Sequence, residues 1–99
     1  MGYMINHATQ ESVQHAAVGH AFEAALAAEF RAELAVQKRP ASDFAVALGI
    51  TAHTAGRKLA GASSFSTLEM AVGAQWLGIA PDAFVRRVEQ RLQARVVAS

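Results

Sequence analysis

Two groups of polar residues in this 99-residue sequence have types and spacings that could do chemistry. In the first, His53 and Arg57 are four residues apart, and threonines and a lysine stand beside them. An imidazole can donate or accept a hydrogen bond, and a guanidinium presents its donors in a planar fork. The second group is His15, His20 and Glu23, whose side-chain types bind metal ions. The first group favours recognition by hydrogen bonds, and the second raises the question of a metal site.

The metal interpretation is the weaker of the two. Gly19 interrupts the helix that would align the two histidines, no cysteine is present, and no partner groups stand ready to orient such ligands. The sequence also lacks a glycine-rich phosphate loop, a nucleophile elbow and catalytic carboxylate spacing. We therefore expect no metal, no cofactor, no small-molecule substrate and no enzymatic activity.

Composition predicts one small helical domain. Hydrophobic residues make up 53% of the chain, cysteine is absent and the formal net charge is +1. The lack of cysteine, of a secretory signal and of a bilayer-length apolar run predicts a soluble, cytoplasmic protein. Alanine, leucine, glutamate, glutamine and arginine favour helix, and strand-forming residues are sparse. We expect an all-α fold whose weak positive charge neither requires nor excludes a nucleic-acid partner.

The elements around His53 and Arg57 can be placed from local signals. A short helix is expected over residues 9–18, weakened at Gly19, and a second over residues 21–37, ended by Pro40. Two helices of about eight residues follow, Ala41–Leu48 and one from the N-cap Thr51 to Leu59, joined by a turn at Gly49. His53 and Arg57 are therefore both expected on the second helix of a pair of short helices.

Two further helices complete the predicted core. Ser66 and Glu69 have capping-box spacing for a fourth helix, and Pro81 is suited to begin a fifth. The expected core comprises Phe22, Leu26, Phe30, Leu34, Phe44, Leu48, Ile50, Leu59, Phe65, Leu68, Val72, Trp76 and Ile79. An apolar stripe on the fifth helix, formed by Val85, Val88, Leu92 and Val96, is expected either to pack inside the chain or to form an interface.

The order of these pieces resembles one family. The segments are Phe44 to Ile50, Thr54 to Gly61, Thr67-Leu68-Glu69 and Trp76 to Ile79. Together they make residues 41–84 resemble the DNA-binding domains of the Cro and lambda-repressor type, often called the XRE family. The resemblance implies a five-helix, lambda-repressor-like helix-turn-helix domain over residues 21–97, with the helix-turn-helix at about 41–60 and residues 1–20 as an extra helical segment or arm. It also suggests a phage or prophage setting.

The resemblance further implies roles for individual residues. Ala52, His53 and Arg57 would face DNA bases, while Thr51 and Thr54 would contact phosphate or a thymine methyl group. An arginine can contact guanine O6 and N7 together. Lys38, Arg39 and Lys58, with the hydroxyls of Ser63 and Ser64, would contact phosphates. The alternative for all these polar side chains is an ordinary solvated surface. Along the fifth helix, Arg87, Arg91 and Arg95 recur every four residues and could contact DNA backbone or an acidic partner, but a solvated face is the better interpretation of them.

These implications lead to two functional hypotheses. The first is a sequence-specific transcriptional regulator, repressor or activator, that binds double-stranded DNA as a homodimer. Its interface would be either the stripe Val85, Val88, Leu92 and Val96 or an N-terminal set formed by Met4, Ile5, Val13 and Val18. The second hypothesis is a protein-interaction module, such as an antirepressor or adaptor, built on the same helices.

Overall fold

The computed structural model describes the backbone of residues 2–98 and the side chains of residues 19–95. Within that part of the chain the secondary structure is helical and contains no strand, so the all-α prediction is confirmed. The five helices are α1 Gly2–Gln37, α2 Ala41–Leu48, α3 Ala52–Leu59, α4 Thr67–Trp76 and α5 Pro81–Ala98. α1 packs against α5 and α3, α2 packs against α3 and α4, and α4 also meets α5.

The predicted interruption at Gly19 is wrong. α1 is one 36-residue helix that passes through this position. A glycine inside a helix costs only about 1 kcal/mol relative to alanine, because it loses more backbone freedom on folding. That cost is small beside the helix-forming alanines that follow, so it is insufficient to end the helix.

Each of the first four helices ends in the same hydrogen-bonding pattern. After α2, the Gly49 amide donates to Val46 and the Ile50 amide donates to Ala45, with Gly49 in the left-handed region at φ 71°. The equivalent left-handed positions after α3 and α4 are also glycines, Gly61 and Gly78. After α1 that position is Lys38, at φ 55°. The chain therefore ends α1 with a non-glycine residue in a conformation that glycine adopts without strain.

The core centres on an aromatic cluster. The ring of Phe30 on α1 lies 5.0 Å from Phe44 on α2, 4.9 Å from Phe65 and 4.4 Å from Phe84 on α5, measured between centroids. The rings are tilted rather than stacked face to face, which is the favourable arrangement for aromatic quadrupoles. Four segments of the chain are thus joined at one side chain.

The face of α4 that enters this core is not the predicted one. Leu68 was expected to be buried, but it is 73% exposed, and Val72 is only half-buried. The buried residues of α4 are instead the small Gly73 and Ala74. Small residues allow the helix backbone itself to lie against the rings, so α4 turns the side with Met70, Gly73 and Ala74 inward rather than the side with Leu68 and Val72.

Most of the other predicted core positions are confirmed. Phe30 and Phe44 are fully buried, and Leu26, Leu34, Leu59 and Ile79 are 8% exposed or less. Phe22, Leu48, Phe65 and Trp76 are partly buried against this core. The buried residues that were not predicted include Phe84 and Leu77, together with the alanines Ala25, Ala27, Ala45, Ala55 and Ala74. Alanines were overlooked because their burial depends on which neighbours approach them.

We predict that Gly73→Ala destabilises the chain by about 1–3 kcal/mol, the usual cost of overpacking a core. A Cβ at Gly73 would lie 2.9 Å from two ring atoms of Phe30 and 3.0 Å from one of Phe44, closer than such atoms approach. Chemical denaturation followed by circular dichroism measures the change.

The matched control is Gly56→Ala on α3, where an added Cβ meets nothing within 4 Å. Because alanine is the better helix former, this control should gain up to about 1 kcal/mol. Equal effects of the two substitutions would contradict the close approach of α4 to the Phe30 ring.

Candidate functional site

The exposed surface of α3 is formed by Ala52, His53, Gly56 and Arg57, and we call it the outer face of α3. The four residues recur at the one-turn spacing that places them on the same side of a helix. The opposite side carries Ala55 and Leu59, which are 0% and 6% exposed. Burial of one side therefore directs His53 and Arg57 away from the core, and the three residues predicted to face DNA bases share one exposed surface.

Local hydrogen bonds define where α3 begins. The Thr51 hydroxyl accepts from the Thr54 amide at 3.1 Å, which confirms the predicted N-cap. The same hydroxyl donates to the Thr54 hydroxyl at 2.9 Å. Such a cap satisfies one of the amides that a helix leaves unpaired at its start. The two threonines predicted as DNA contacts thus also have a local structural role.

The end of α3 is held by α1. The guanidinium of Arg31 donates to the carbonyl oxygen of Leu59, the last residue of α3. A cation at this end also complements the negative end of the helix dipole. Sequence analysis did not single out Arg31, because its partner lies 28 residues away and no local pattern connects the two.

Lys58 is turned inward, unlike its neighbour Arg57. Its ammonium donates to the Ser64 carbonyl at 2.5 Å and to Glu69 Oε1 at 3.0 Å. Only 14% of its side chain is exposed. The nitrogen also lies 5.8 Å from the centre of the Phe65 ring. The lysine predicted to contact a phosphate is therefore paired with a carboxylate inside the chain.

Glu69 connects this pair to the start of α4. Its Oε1 atom also accepts from the Ser66 amide at 2.8 Å, and the Ser66 hydroxyl accepts from the Glu69 amide at 3.0 Å. These two bonds complete the capping box that the sequence predicts. The Ser66 amide, followed by the hydrogen bond and charge of Lys58, lowers the pKa of the Glu69 carboxyl below its ordinary value of 4.5, against the opposing effect of burial.

Arg39 is bound to the end of α4 and is not a free cation. Its Cζ atom lies 3.4 Å from the centre of the Trp76 ring, and its Nη1 donates to the Trp76 carbonyl at 2.9 Å. Beside it, Gln37 Nε2 donates to the Leu77 carbonyl at 2.7 Å. These donors satisfy carbonyls at the end of α4. Of the two adjacent cations predicted to contact phosphate, Arg39 thus serves α4, while Lys38 is exposed.

The loop that follows α3 is also attached to α1. The Ser64 hydroxyl donates to Glu23 Oε1 at 2.7 Å, and Ser63 is half-buried. A phosphate beside Ser64 would therefore approach a carboxylate. The two serines predicted to contact DNA are brought to the same loop, but Ser64 already has a partner there.

The arginines of α5 are not a simple solvated surface. Arg91 Nε lies 2.7 Å from Glu29 Oε1, and Arg87 Nη1 lies 3.8 Å from Glu29 Oε2 and 3.2 Å from Glu33 Oε2. Glu29 is a buried carboxylate, 6% exposed. The solvated-face interpretation is wrong for Arg87 and Arg91, since these cations neutralise acidic residues of α1. Arg95 also has an interaction partner.

The apolar stripe predicted as a dimer interface lies mostly inside the chain. Val88 is 0% exposed and Leu92 packs against the core, while Val85 is half-buried. Val88 cannot meet a second copy while the fold is intact, so the proposed interface is wrong at this position. Val96 and the alternative set formed by Met4, Ile5, Val13 and Val18 lie outside the described side chains.

Two of the cations differ from the others in that their side chains have no partner among the described residues. All nine lysine and arginine residues lie between positions 31 and 95, where side chains are described. Over this range, Lys38 and Arg57 are the two whose side chains have no hydrogen bond, ion pair or ring contact in the structure. Both are exposed. Lys38 and Arg57 are therefore the two cations whose side chains have no partner among the described residues that would compete with an external ligand.

The same part of the chain contains neither a metal-binding cluster nor a membrane-spanning helix. The described residues contain no group of three or more histidines or acids placed to hold a metal ion, and His15 lies outside them. No helix in the described region is both long enough and apolar enough to cross a bilayer. Neither result identifies a ligand, so the outer face of α3 stays the candidate site.

We predict that Lys38→Gly stabilises the chain by about 0.5–1 kcal/mol, because glycine removes the left-handed strain of an L-residue at a small entropic cost. The control Ala35→Gly lies in the last turn of α1, where the backbone is helical, and should lose up to about 1 kcal/mol. Thermal or urea unfolding compares them. A loss of stability in both would mean that Lys38 is unstrained.

A second prediction concerns acid. Because the folded pKa of Glu69 lies below 4.5, its contribution to stability is present above that value and is lost as pH falls through the folded pKa. The native chain should therefore exceed Glu69→Gln in stability near neutral pH by up to about 1 kcal/mol, the range of partly exposed ion pairs. Unfolding curves at several pH values should show this difference shrinking in acid, and a pH-independent difference would contradict it.

Comparison with protein-family models, with curated proteins and with solved structures finds no match to this chain. A functional interpretation therefore depends on the residues and geometry of the site itself.

Proposed function

We propose that this chain is a sequence-specific, double-stranded DNA-binding transcriptional regulator that places α3 in the major groove. The observation that carries the proposal is the outer face of α3, where Arg57 and His53 are exposed and, among the described residues, have no internal partner. Seven of the nine cations of the chain have other interactions. An arginine kept exposed without a partner suits an external acceptor.

The chemistry of each residue suggests its role. Arg57 would contact guanine O6 and N7 with two parallel hydrogen bonds, His53 would donate to or accept from a neighbouring base edge, and Ala52 would offer an apolar contact to a thymine methyl group. Lys38 would neutralise a phosphate and add affinity without sequence information. Arg39, Lys58 and Ser64 are less suited to the phosphate roles first expected of them, because each has a partner within the chain.

The proposal includes the biological setting that the resemblance implies. We place the chain with regulators of the Cro and lambda-repressor type, acting in the cytoplasm and encoded by a phage or prophage. A single module of this size contacts few base pairs, so a homodimer on two half-sites about one helical turn apart would supply the remaining affinity. The dimer interface would then involve surfaces other than Val88.

A second candidate function is a protein-interaction module, such as an antirepressor or adaptor. The observation in its favour is that three large apolar side chains are exposed: Val46 by 80%, Val36 by 74% and Leu68 by 73%. The net charge of only +1 is compatible with it. The two functions differ in salt dependence, because DNA binding releases counterions from phosphates and weakens steeply as salt increases.

The test is selection of binding sites from randomised duplex DNA with the native chain, Arg57→Ala and His53→Ala. We expect an enriched, palindromic site whose preference relaxes at one base of each half-site in each variant. For Arg57→Ala the lost discrimination should be about 1–3 kcal/mol, the value of a bidentate contact to guanine.

The matched control is Arg86→Ala. Arg86 is an exposed arginine of α5 paired with Asp82 at 3.2 Å, and its replacement changes the net charge by the same amount. This variant should retain the native base preference. No enrichment by the native chain, with salt-independent capture of a protein partner, would instead support the interaction module.

A further inference from the structure

Besides the burial of Ala55 and Leu59, α3 is connected to α4 by one polar cluster, formed by Lys58, Ser64, Ser66 and Glu69. Lys58 belongs to the last turn of α3, Ser64 to the following loop, and Ser66 and Glu69 to the start of α4. The Glu69 Oε1 atom accepts from both the Lys58 ammonium, at 3.0 Å, and the Ser66 amide, at 2.8 Å. A single carboxylate oxygen therefore joins α3 to the first turn of α4.

The Lys58 ammonium has little capacity for another partner. It carries three protons, and two are directed to oxygens at 2.5 Å and 3.0 Å, while the Phe65 ring lies 5.8 Å away. The side chain is 14% exposed, and that of Glu69 is 17% exposed. A phosphate would have to draw Lys58 away from a carboxylate that already neutralises it.

The inward direction of Lys58 also sets the direction of Arg57. Neighbouring residues of a helix project about 100° apart around its axis. When Lys58 is held toward α4, and Leu59 is buried on its other side, Arg57 must project outward. Arg57 itself has no partner among the described side chains that could fix it, so its placement depends on these neighbours.

We propose that Lys58 is a positioning residue for α3, paired with Glu69 so that Arg57 is presented to DNA, and that it does not contact phosphate. This inference rests on the proposed DNA-binding function and deepens it. It assigns to the Lys58–Glu69 pair a part of the sequence specificity, although neither side chain touches a base.

The experiment measures duplex affinity against salt concentration for the native chain, Lys58→Met and Glu69→Gln, using a duplex selected by the native chain. A cation that contacts phosphate contributes about 0.9 to the slope of log K against log salt. We expect Lys58→Met to bind on the order of threefold to tenfold more weakly, the size of coupling within a contact pair, with an unchanged slope. Lys38→Met is the positive control and should reduce the slope by about one phosphate.

The sign of the Glu69→Gln effect separates the two roles. If Lys58 positions α3, loss of its carboxylate partner should weaken duplex binding and relax the base preference assigned to Arg57. The double variant Lys58→Met/Glu69→Gln should then bind the duplex at least as tightly as the single variant with the lower affinity. If Lys58 contacts phosphate, Glu69→Gln should release it and strengthen binding, and Lys58→Met should reduce the slope.

Circular dichroism confirms that each variant is folded before affinity is compared. A native chain that selects no duplex would overturn the proposed function together with this inference. A native chain that binds, while Lys58→Met lowers the slope or leaves affinity unaltered, would overturn the inference alone.

Discussion

The helices α1, α2, α4 and α5 meet at the ring of Phe30, and the close approach of α4 to this ring constrains how the helices pack. Phe44 and Phe84 contact this ring from α2 and α5, Phe65 contacts it from the loop before α4, and the backbone at Gly73 fills the remaining side. A side chain at Gly73 would separate α4 from α1. Because α2 packs on α4 and α3 packs on α2, such a shift would be transmitted to the candidate site.

Polar contacts add directional restraints on the relative orientation of the helices, which aromatic packing alone restrains only weakly. Apolar contacts are weakly directional, whereas a charged donor on a carbonyl or carboxylate has a narrow geometry. Arg31 holds the end of α3, Arg39 and Gln37 hold the end of α4, and Lys58 joins the two helices through Glu69. The ends of α3 and α4 are thus joined to other elements by cations, while the buried Ala55 and Leu59 anchor the opposite side of α3.

Hydrogen bonding and pairing of charges within the chain leave only two of the nine cations without a side-chain interaction among the described residues. Arg87 and Arg91 neutralise Glu29 and Glu33 between α1 and α5, and Arg86 pairs with Asp82. These pairs give each of the three arginines an acidic partner within the chain. Arg57 and Lys38 remain as exposed cations whose side chains have no partner in the described part of the chain.

Signals within one helical turn were sufficient to predict much of the architecture. Thr51 and the Ser66–Glu69 capping box mark the starts of α3 and α4, and Gly49 marks the end of α2, because caps and left-handed positions act over three or four residues. The exposure of His53 and Arg57 was also accessible, since the helical period places them opposite Ala55 and Leu59. The continuity of α1 through Gly19 was misjudged, since a local breaker was given more weight than the surrounding helix formers.

The sequence by itself therefore determined helices α2 to α5, the caps of α3 and α4 and the residues carried by the outer face of α3. Only the tertiary structure decided which side of α4 is buried, that Val88 belongs to the core, and that Lys58, Arg87 and Arg91 have acidic partners. The physical reason is the separation along the sequence between the residues that interact. A cap is made by neighbours along the chain, whereas the burial of Gly73 and the pairing of Glu29 depend on residues that only folding brings together.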